Sequence, residues 1–181
     1  TEWGKGGVRM PMYLYLGDIT RMETDAIVNA AGTDLRRCPG ICDAIFAAAD
    51  TEELERACRK LGRCRIGQAV ATPGCGLPCR YIIHVAGPGW YGGEPRERFL
   101  LAGCYQNALH KAYLCSCRRV AVPLIFSGDC HMPRAASLRV AGAAIADFCQ
   151  RHPSMEVTLV LYRQSIYDMA KRILGWEDAP S

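Results

Sequence analysis

Three near-continuous apolar runs constrain the fold of this chain more than any other feature: Arg80-Tyr81-Ile82-Ile83-His84-Val85-Ala86, Val120 to Phe126, and Glu156 to Tyr162. A strand with one wet face alternates apolar and polar residues, whereas a strand covered on both faces does not. These runs therefore read as strands of a sheet sandwiched between helices. Val8 to Leu16 and the shorter Ala26 to Val28 read the same way, and Gln68 to Thr72 is a further candidate. Helical spacings lie between them. Leu54, Ala57, Cys58 and Leu61 share one face, with Thr51 placed to cap it. Leu101, Cys104, Ala108, Ala112 and Cys115 form a longer stripe, and Leu138, Ala141, Ile145 and Phe148 another. Ser165 and Asp168 have the spacing of a capping box ahead of Ile166, Met169, Ala170 and Ile173. Such alternation predicts an α/β protein of three layers, α/β/α.

Length and composition narrow the classes. The 181 residues suit a single domain spanning 1–181, with a core from about 8 to 175, and 50% hydrophobic residues argue against disorder. No run approaches the roughly 20 apolar residues of a spanning helix, so no membrane association is expected. Thr1 in place of Met, and the ending Glu177-Asp178-Ala179-Pro180-Ser181, read as a piece of a longer chain. The eleven cysteines are odd in number, and Cys58, Cys104, Cys115 and Cys149 fall inside apolar or helical patterns. That is the pattern of free, buried thiols in a reducing compartment, here the cytoplasm. Cys38-x3-Cys42, Cys75-x3-Cys79 and Cys115-x-Cys117 outline metal half-sites, without knuckle spacing or a clear His partner. A cysteine-ligated zinc stays open as an alternative; the main reading has no metal and no cofactor. Arg56, Arg59, Lys60, Arg63 and Arg65, with Arg118 and Arg119 further on, form basic patches. They are solvated surface, or else a weak contact for RNA or another polyanion.

Ligands of α/β domains collect outside the carboxyl ends of strands. The loops after Leu16, Val28, Val85 and Phe126 are therefore the places for chemistry. In Gly17-Asp18-Ile19-Thr20, the acid stands just past a strand end, able to accept from an amino group such as that of adenine, although Gly-Asp is also ordinary turn material. Asn29-Ala30-Ala31-Gly32 closes the second strand. Arg37-Cys38-Pro39-Gly40-Ile41 precedes a helical pattern beginning near Cys42, where backbone N–H groups can cradle phosphate. Ser127-Gly128-Asp129-Cys130-His131 follows another strand and faces the same region from the opposite side. Asp129 is either a turn former or a water-facing acid. Neither loop has the spacing of a nucleoside-triphosphate loop or a dinucleotide fingerprint. His84-Val85-Ala86-Gly87-Pro88-Gly89-Trp90-Tyr91 supplies a rigid turn with aromatics to border a cleft, and His84, inside an apolar strand, reads as structural. Cys130 beside His131 is a conceivable nucleophilic pair, but adjacency in sequence does not supply the geometry.

Taken in order, these loops resemble the macro domain, a module that binds ADP-ribose. The matching text is Gly17-Asp18-Ile19-Thr20, Asp25-Ala26-Ile27-Val28-Asn29-Ala30-Ala31, Gly40-Ile41 before Ala44-Ile45, Ile83-His84-Val85-Ala86-Gly87-Pro88, and Pro123-Leu124-Ile125-x-Ser127-Gly128 with Pro133 beyond. The resemblance implies a central mixed, mostly parallel sheet. The short Gly40-Ile41-Cys42 loop, the ends and the Arg-, Ala- and Cys-rich composition look most like the macro domain of a positive-strand RNA virus replicase polyprotein, of a rubella-like kind, acting in the host cytoplasm. By position, Asp18 resembles the acid that recognises the adenine amino group, with the Ile19 backbone beside it. Asn29 resembles the asparagine that shapes the pocket near the terminal ribose. Cys38, Gly40, Ile41 and Cys42 resemble the first loop around the diphosphate and terminal ribose; Ser127, Gly128, Asp129 and Cys130 resemble the second, whose amides clasp the phosphates. Tyr162 and Arg163 resemble the residues that pack against adenine.

The departures bear on chemistry. Members that hydrolyse usually carry a second asparagine where this chain has Gly32, and some cellular members carry an aspartate where it has Cys42, Asp43 falling one residue late. The resemblance implies binding of ADP-ribose and of mono-ADP-ribosylated proteins by a monomer. It also implies a water-mediated, metal-independent removal of mono-ADP-ribose from acidic side chains. Asn29 and Gly40 position the reaction and no residue is an obvious nucleophile. The alternative is a non-catalytic reader of ADP-ribose, poly(ADP-ribose) or RNA.

Overall fold

The computed structural model describes residues 11–88, 94–125 and 132–180. Six strands form one sheet: β1 (Met12–Leu16), β2 (Thr24–Ala31), β3 (Ala69–Pro73), β4 (Cys79–Ala86), β5 (Arg119–Pro123) and β6 (Glu156–Leu161). Their order is β1-β6-β5-β2-β4-β3, and all neighbours are parallel except β3 against β4. Five helices cover the sheet: α1 (Ile41–Ala48), α2 (Thr51–Leu61), α3 (Pro95–Leu114), α4 (Arg134–Arg151) and α5 (Gln164–Leu174).

The continuous apolar runs are explained by two cores. Ala26, Val28, Ile83, Val85, Val120 and Val122 point to one side, where Tyr105 of α3 and Phe148 of α4 lie. The intervening Ile27, Ile82 and Ala121 point to the other side, toward Ile45 and Phe46 of α1 and Leu54 of α2. Because strand side chains alternate faces, a strand between two cores has no polar position to spare. The predicted three-layer α/β/α fold with a mixed, mostly parallel sheet is the fold observed.

Local boundaries differ in three places. Strand β2 runs on through Asn29 to Ala31 because the pairing with β4 continues as far as Ala31 opposite Ala86. Helix α2 is capped by Asp50, whose side chain accepts from the Glu53 N–H at 3.1 Å, while Thr51 is its first residue and donates to the Phe46 carbonyl at 2.6 Å. Helix α5 starts at Gln164, so Ser165 lies inside the first turn and makes no cap. The start of the first predicted strand at Val8 and the end of the fifth at Phe126 lie outside the described residues.

The edge strand β1 is closed by the chain's last segment. The Leu14 N–H donates to the Glu177 carbonyl at 2.9 Å, and the Ala179 N–H donates back to the Leu14 carbonyl at 2.9 Å. Tyr167 donates to the Asp178 carboxylate, and Lys171 pairs with it at 3.6 Å. The unpaired backbone of an edge is thereby satisfied.

One buried hydroxyl fixes the chain where β5 gives way to the loop beyond it. The Ile125 N–H donates to Tyr105 Oη at 2.8 Å, both residues being fully buried. Tyr105→Phe strands that N–H. It is expected to lower stability by about 1–3 kcal/mol, seen as a lower urea midpoint with an unchanged slope.

Candidate active site

A cavity of about 380 Å³ opens at the carboxyl ends of β1, β5 and β6, a volume within the usual range for small-molecule sites. Its first wall is the turn after β1. The Gly17 N–H donates to the Leu161 carbonyl at 2.9 Å, tying the end of β1 to the end of β6. Asp18 then caps the short 3-10 turn Ile19–Arg21, its Oδ1 accepting from the Thr20 N–H at 2.9 Å and Thr20 Oγ1 at 2.7 Å. Among the described residues its Oδ2 takes no bond, and the side chain is exposed in the cavity wall. Asp18 is thus held by one oxygen and offers the other.

Three helix N-termini form the remaining polar lining. The caps or first residues of α1 (Gly40, Ile41), α4 (Arg134) and α5 (Arg163) all line the cavity. Among the described residues none of these helices has a side-chain cap. The two helices that start elsewhere are capped: α2 by Asp50, and α3 by a reciprocal Glu94–Glu97 box. The first N–H groups of a helix have no internal partner and carry the positive end of its dipole. Leaving them bare at one cavity makes an anion site. The charges agree: no acid stands in the first turn of α4 or α5, and Asp43 in α1 is paired with Arg37 at 2.6 Å. Neither Arg134 nor Arg163 has an ion pair among the described residues.

Gly40 sits at φ 87°, ψ −139°, a combination open essentially to glycine alone. Tyr162, beside Arg163, also lines the cavity and is 81% exposed.

The structure thus brings Asp18, Ile19, Gly40, Ile41, Tyr162 and Arg163 to one cavity. Asn29, Gly32, Cys38 and Cys42 are not in its wall. Asn29 lies within β2, fully buried, where its Nδ2 donates to His84 Nδ1 at 3.0 Å and toward Cys42 Sγ at 3.8 Å. Its Oδ1 has no partner among the described residues. His84 Nε2 meets Thr72 Oγ1 at 3.0 Å. Cys42 Sγ also accepts from the Cys38 N–H at 3.3 Å and donates to the Arg36 carbonyl at 3.8 Å. Burial pushes the Cys42 thiol up to about 12, so at neutral pH it rests as a protonated thiol rather than a thiolate. Gly32 accepts from the Leu35 N–H at 3.1 Å, and a Cβ there would stand 3.3 Å from Asp34 Oδ1.

Burial also pushes His84 down to about 4, leaving it neutral between Asn29 and Thr72. The folded protein resists the proton that the unfolded chain takes up near pH 6.5, so stability is full above pH 6.5 and falls as pH drops toward 4. The loss is on the order of 3 kcal/mol across that window. Denaturant titrations at neutral and mildly acidic pH are expected to show this slope, and His84→Gln to flatten it.

Ser127, Gly128, Asp129, Cys130 and His131 lie outside the described residues, as do Trp90 and Tyr91. Arg134, Ala44, Pro123, Leu124 and Ile166 line the cavity but were not anticipated from sequence. Arg134 was legible in part: it follows Pro133, and a proline ahead of an apolar helical stripe marks a helix start. The basic stretch on α2 completes that helix's charge pattern, with Glu52 and Glu53 in the first turn and Arg59 and Lys60 in the last. The Arg118 and Arg119 N–H groups bind Asp25, and Arg119 pairs with Glu156 at 3.1 Å. The ten described cysteines are free thiols, and no three His, Cys, Asp or Glu among the described residues group to hold a metal.

The pattern of the macro domain matches residues 28–141. This chain belongs to the macro-domain family. It is 43% identical over 133 residues to a macro domain-containing protein of Mesorhizobium japonicum, covering 74% of this chain and 75% of that one. It is 38% identical over 168 residues to the O-acetyl-ADP-ribose deacetylase of Escherichia fergusonii, covering 90% and 94%. The Oceanobacillus iheyensis macrodomain solved with ADP superposes with a TM-score of 0.84 at 31% identity, covering 90% of this macro domain and 88% of that chain. These findings correct the viral reading. The relatives of this macro domain come from cellular organisms, including bacteria, an archaeon and a trypanosome. The short first loop and the cysteines do not mark a lineage: Cys42 of α1 is a buried core thiol, a matter of local packing. Among the described residues no helix is long and apolar enough to cross a membrane.

Proposed function

We propose that this macro domain binds ADP-ribose and removes mono-ADP-ribose from acidic side chains of modified proteins. The observation that carries the reading is the convergence of three uncapped helix N-termini, Arg134 and Arg163 on a cavity flanked by Asp18 and Tyr162. A diphosphate suits the bare N–H groups and guanidinium groups. An adenine amino group suits the unbonded Asp18 Oδ2, and its ring suits the open face of Tyr162. The relatives agree in chemistry: macrodomains have been solved with ADP and with ADP-ribose, and the Escherichia fergusonii relative is an O-acetyl-ADP-ribose deacetylase. Acetyl and carboxyl-linked ADP-ribose share an ester bond to the terminal ribose, so one site serves both leaving groups.

The chemistry needs no protein nucleophile. A water held between the terminal ribose and the ligand's own diphosphate attacks the ester; the ester C–O bond breaks, the carboxyl group is freed, the ribose keeps a hydroxyl with the proton from water, and loop N–H groups near Gly40 and Ile41 stabilise the developing charge. Ser127, Gly128, Asp129 and Cys130 would close the phosphates from the other side, in a single domain acting as a monomer. The ten free thiols fit a reducing compartment such as the cytoplasm. The test is release of free ADP-ribose from a protein mono-ADP-ribosylated on glutamate or aspartate. No release above a no-enzyme control, at saturating protein, defeats the hydrolase claim.

Gly32 favours the second reading, a reader that binds without cutting, because it carries no side-chain amide at the position where the hydrolysing members that this chain resembles usually have an asparagine. Its φ is outside the left-handed region and the atom near its Cβ direction is Asp34 Oδ1 at 3.3 Å, so Gly32→Asn needs that carboxylate to shift by a few tenths of an ångström. One restored transition-state hydrogen bond of about 1.4 kcal/mol would raise turnover about tenfold. Single-turnover assays of Gly32→Asn against the unmodified chain check this.

A further inference from the structure

The geometry points to Cys38 and Cys42 as an oxidative modification site, a thiol pair that closes to a disulfide around Gly40 and weakens ligand binding. The inference rests on the proposed binding of ADP-ribose for its consequence, but not for the bond itself. Cys42 Sγ lies 3.3 Å from the Cys38 backbone nitrogen, which sets the Cys38 side chain within reach of that sulfur. The two residues are unequal. Cys42 is 1% exposed, inside the core beneath α1, whereas Cys38 is half-buried in the loop ahead of it, between Arg37 and Pro39. An oxidant therefore reaches Cys38 first and Cys42 acts as the resolving thiol, its partner already alongside. The raised pKa of Cys42 agrees with this order, since a protonated thiol is a poor first target.

With a hydroperoxide as oxidant, the Cys38 thiolate sulfur attacks the peroxide, the O–O bond breaks, and Cys38 becomes a sulfenic acid as the peroxide is reduced to water or an alcohol. The Cys42 sulfur then attacks the Cys38 sulfur. The S–S bond forms, the S–O bond breaks, and hydroxide leaves with the Cys42 proton as water. Two thiols have lost two electrons, and the peroxide has gained them.

The ring so formed contains Pro39, Gly40 and Ile41, and the last two line the cavity. It also draws Cys42 Sγ away from the Arg36 carbonyl and from Asn29 Nδ2, the contacts that seat the start of α1. The uncapped N–H groups of α1 then lose their aim at the anion, which gives the modification its effect on binding.

The experiment uses the whole chain, reduced or treated with hydrogen peroxide, alkylated after unfolding and digested with trypsin. Cleavage after Arg37 and Arg56 yields one peptide holding Cys38 and Cys42 and no other cysteine. The expected oxidised peptide is unalkylated and lighter by two hydrogens than the reduced thiol form, and it regains two alkylation sites after dithiothreitol. Cys38→Ser and Cys42→Ser each abolish that species. In parallel, calorimetry with ADP-ribose is expected to show about tenfold weaker binding after oxidation, restored by dithiothreitol. Full alkylation of the peptide after peroxide, or over-oxidation of Cys38 with Cys42 still free, overturns the site. A disulfide with unchanged affinity overturns its effect on binding. Reduced protein that does not bind ADP-ribose would instead count against the proposed ligand, with the peptide still deciding the disulfide.

Discussion

Asp18→Ala is expected to weaken ADP-ribose binding about tenfold or more, because a hydrogen bond to a charged group is worth about 1.5–3 kcal/mol. Two roles must be separated. The side chain caps the 3-10 turn through Oδ1, and loss of a cap costs about 1 kcal/mol of stability by freeing the Thr20 N–H. The ligand contact is assigned to Oδ2. Asp18→Asn keeps an oxygen for Thr20 but places an amide nitrogen, a donor, where the carboxylate accepts. It is therefore expected to keep the stability of the native chain and still lose the affinity. Calorimetry and thermal unfolding on both variants distinguish the two; normal binding by Asp18→Asn would mean that the carboxylate does not face the adenine.

Gly40→Ala is expected to cost binding at least as much, by a different route. A Cβ at Gly40 meets nothing within 4 Å, so the substitution causes no clash. The penalty is the backbone itself: φ 87° with ψ −139° costs an alanine about 1–3 kcal/mol. Since the residue is exposed and uncrowded, the loop relieves that strain by turning to another conformation rather than by unfolding the domain. The Ile41 N–H and its neighbours then no longer point into the cavity. The expected signature is an affinity loss of about tenfold or more with a small change in melting temperature. Both large effects in the variant, or neither, would show that the Gly40 conformation does not aim the helix at the ligand.

Much of this architecture was legible in the chain. Each core-facing run, Ile82-Ile83 or Val120-Ala121-Val122, has consecutive apolar residues because two cores claim alternate positions. That pattern alone calls for a sheet covered on both faces. The cavity was legible where a turn residue stands at a strand end, as Asp18 does, or at a helix start, as Gly40 does. It was less so where roles depend on pairing. Asn29 reads as a loop residue because β-propensity fades at Asn29-Ala30-Ala31, but the ladder with β4 carries the strand past it. Its amide therefore goes to His84 and Cys42. Arg134 and the bare start of α4 were missed because an absent cap leaves no residue to notice. The meaning of that absence emerges only beside the uncapped starts of α1 and α5. The assignment to a viral lineage failed for a related reason: loop length and composition are set by local packing and base composition, and neither is tied to ancestry.

Titration calorimetry of the reduced chain with ADP-ribose, at low and moderate salt, tests the central claim most directly. Three helix N-termini and the two arginines Arg134 and Arg163 around one cavity predict saturable one-to-one binding that weakens as salt rises, with adenosine, which lacks the diphosphate, binding far more weakly. No saturable heat with ADP-ribose, or equal affinity for adenosine and ADP-ribose, would contradict it.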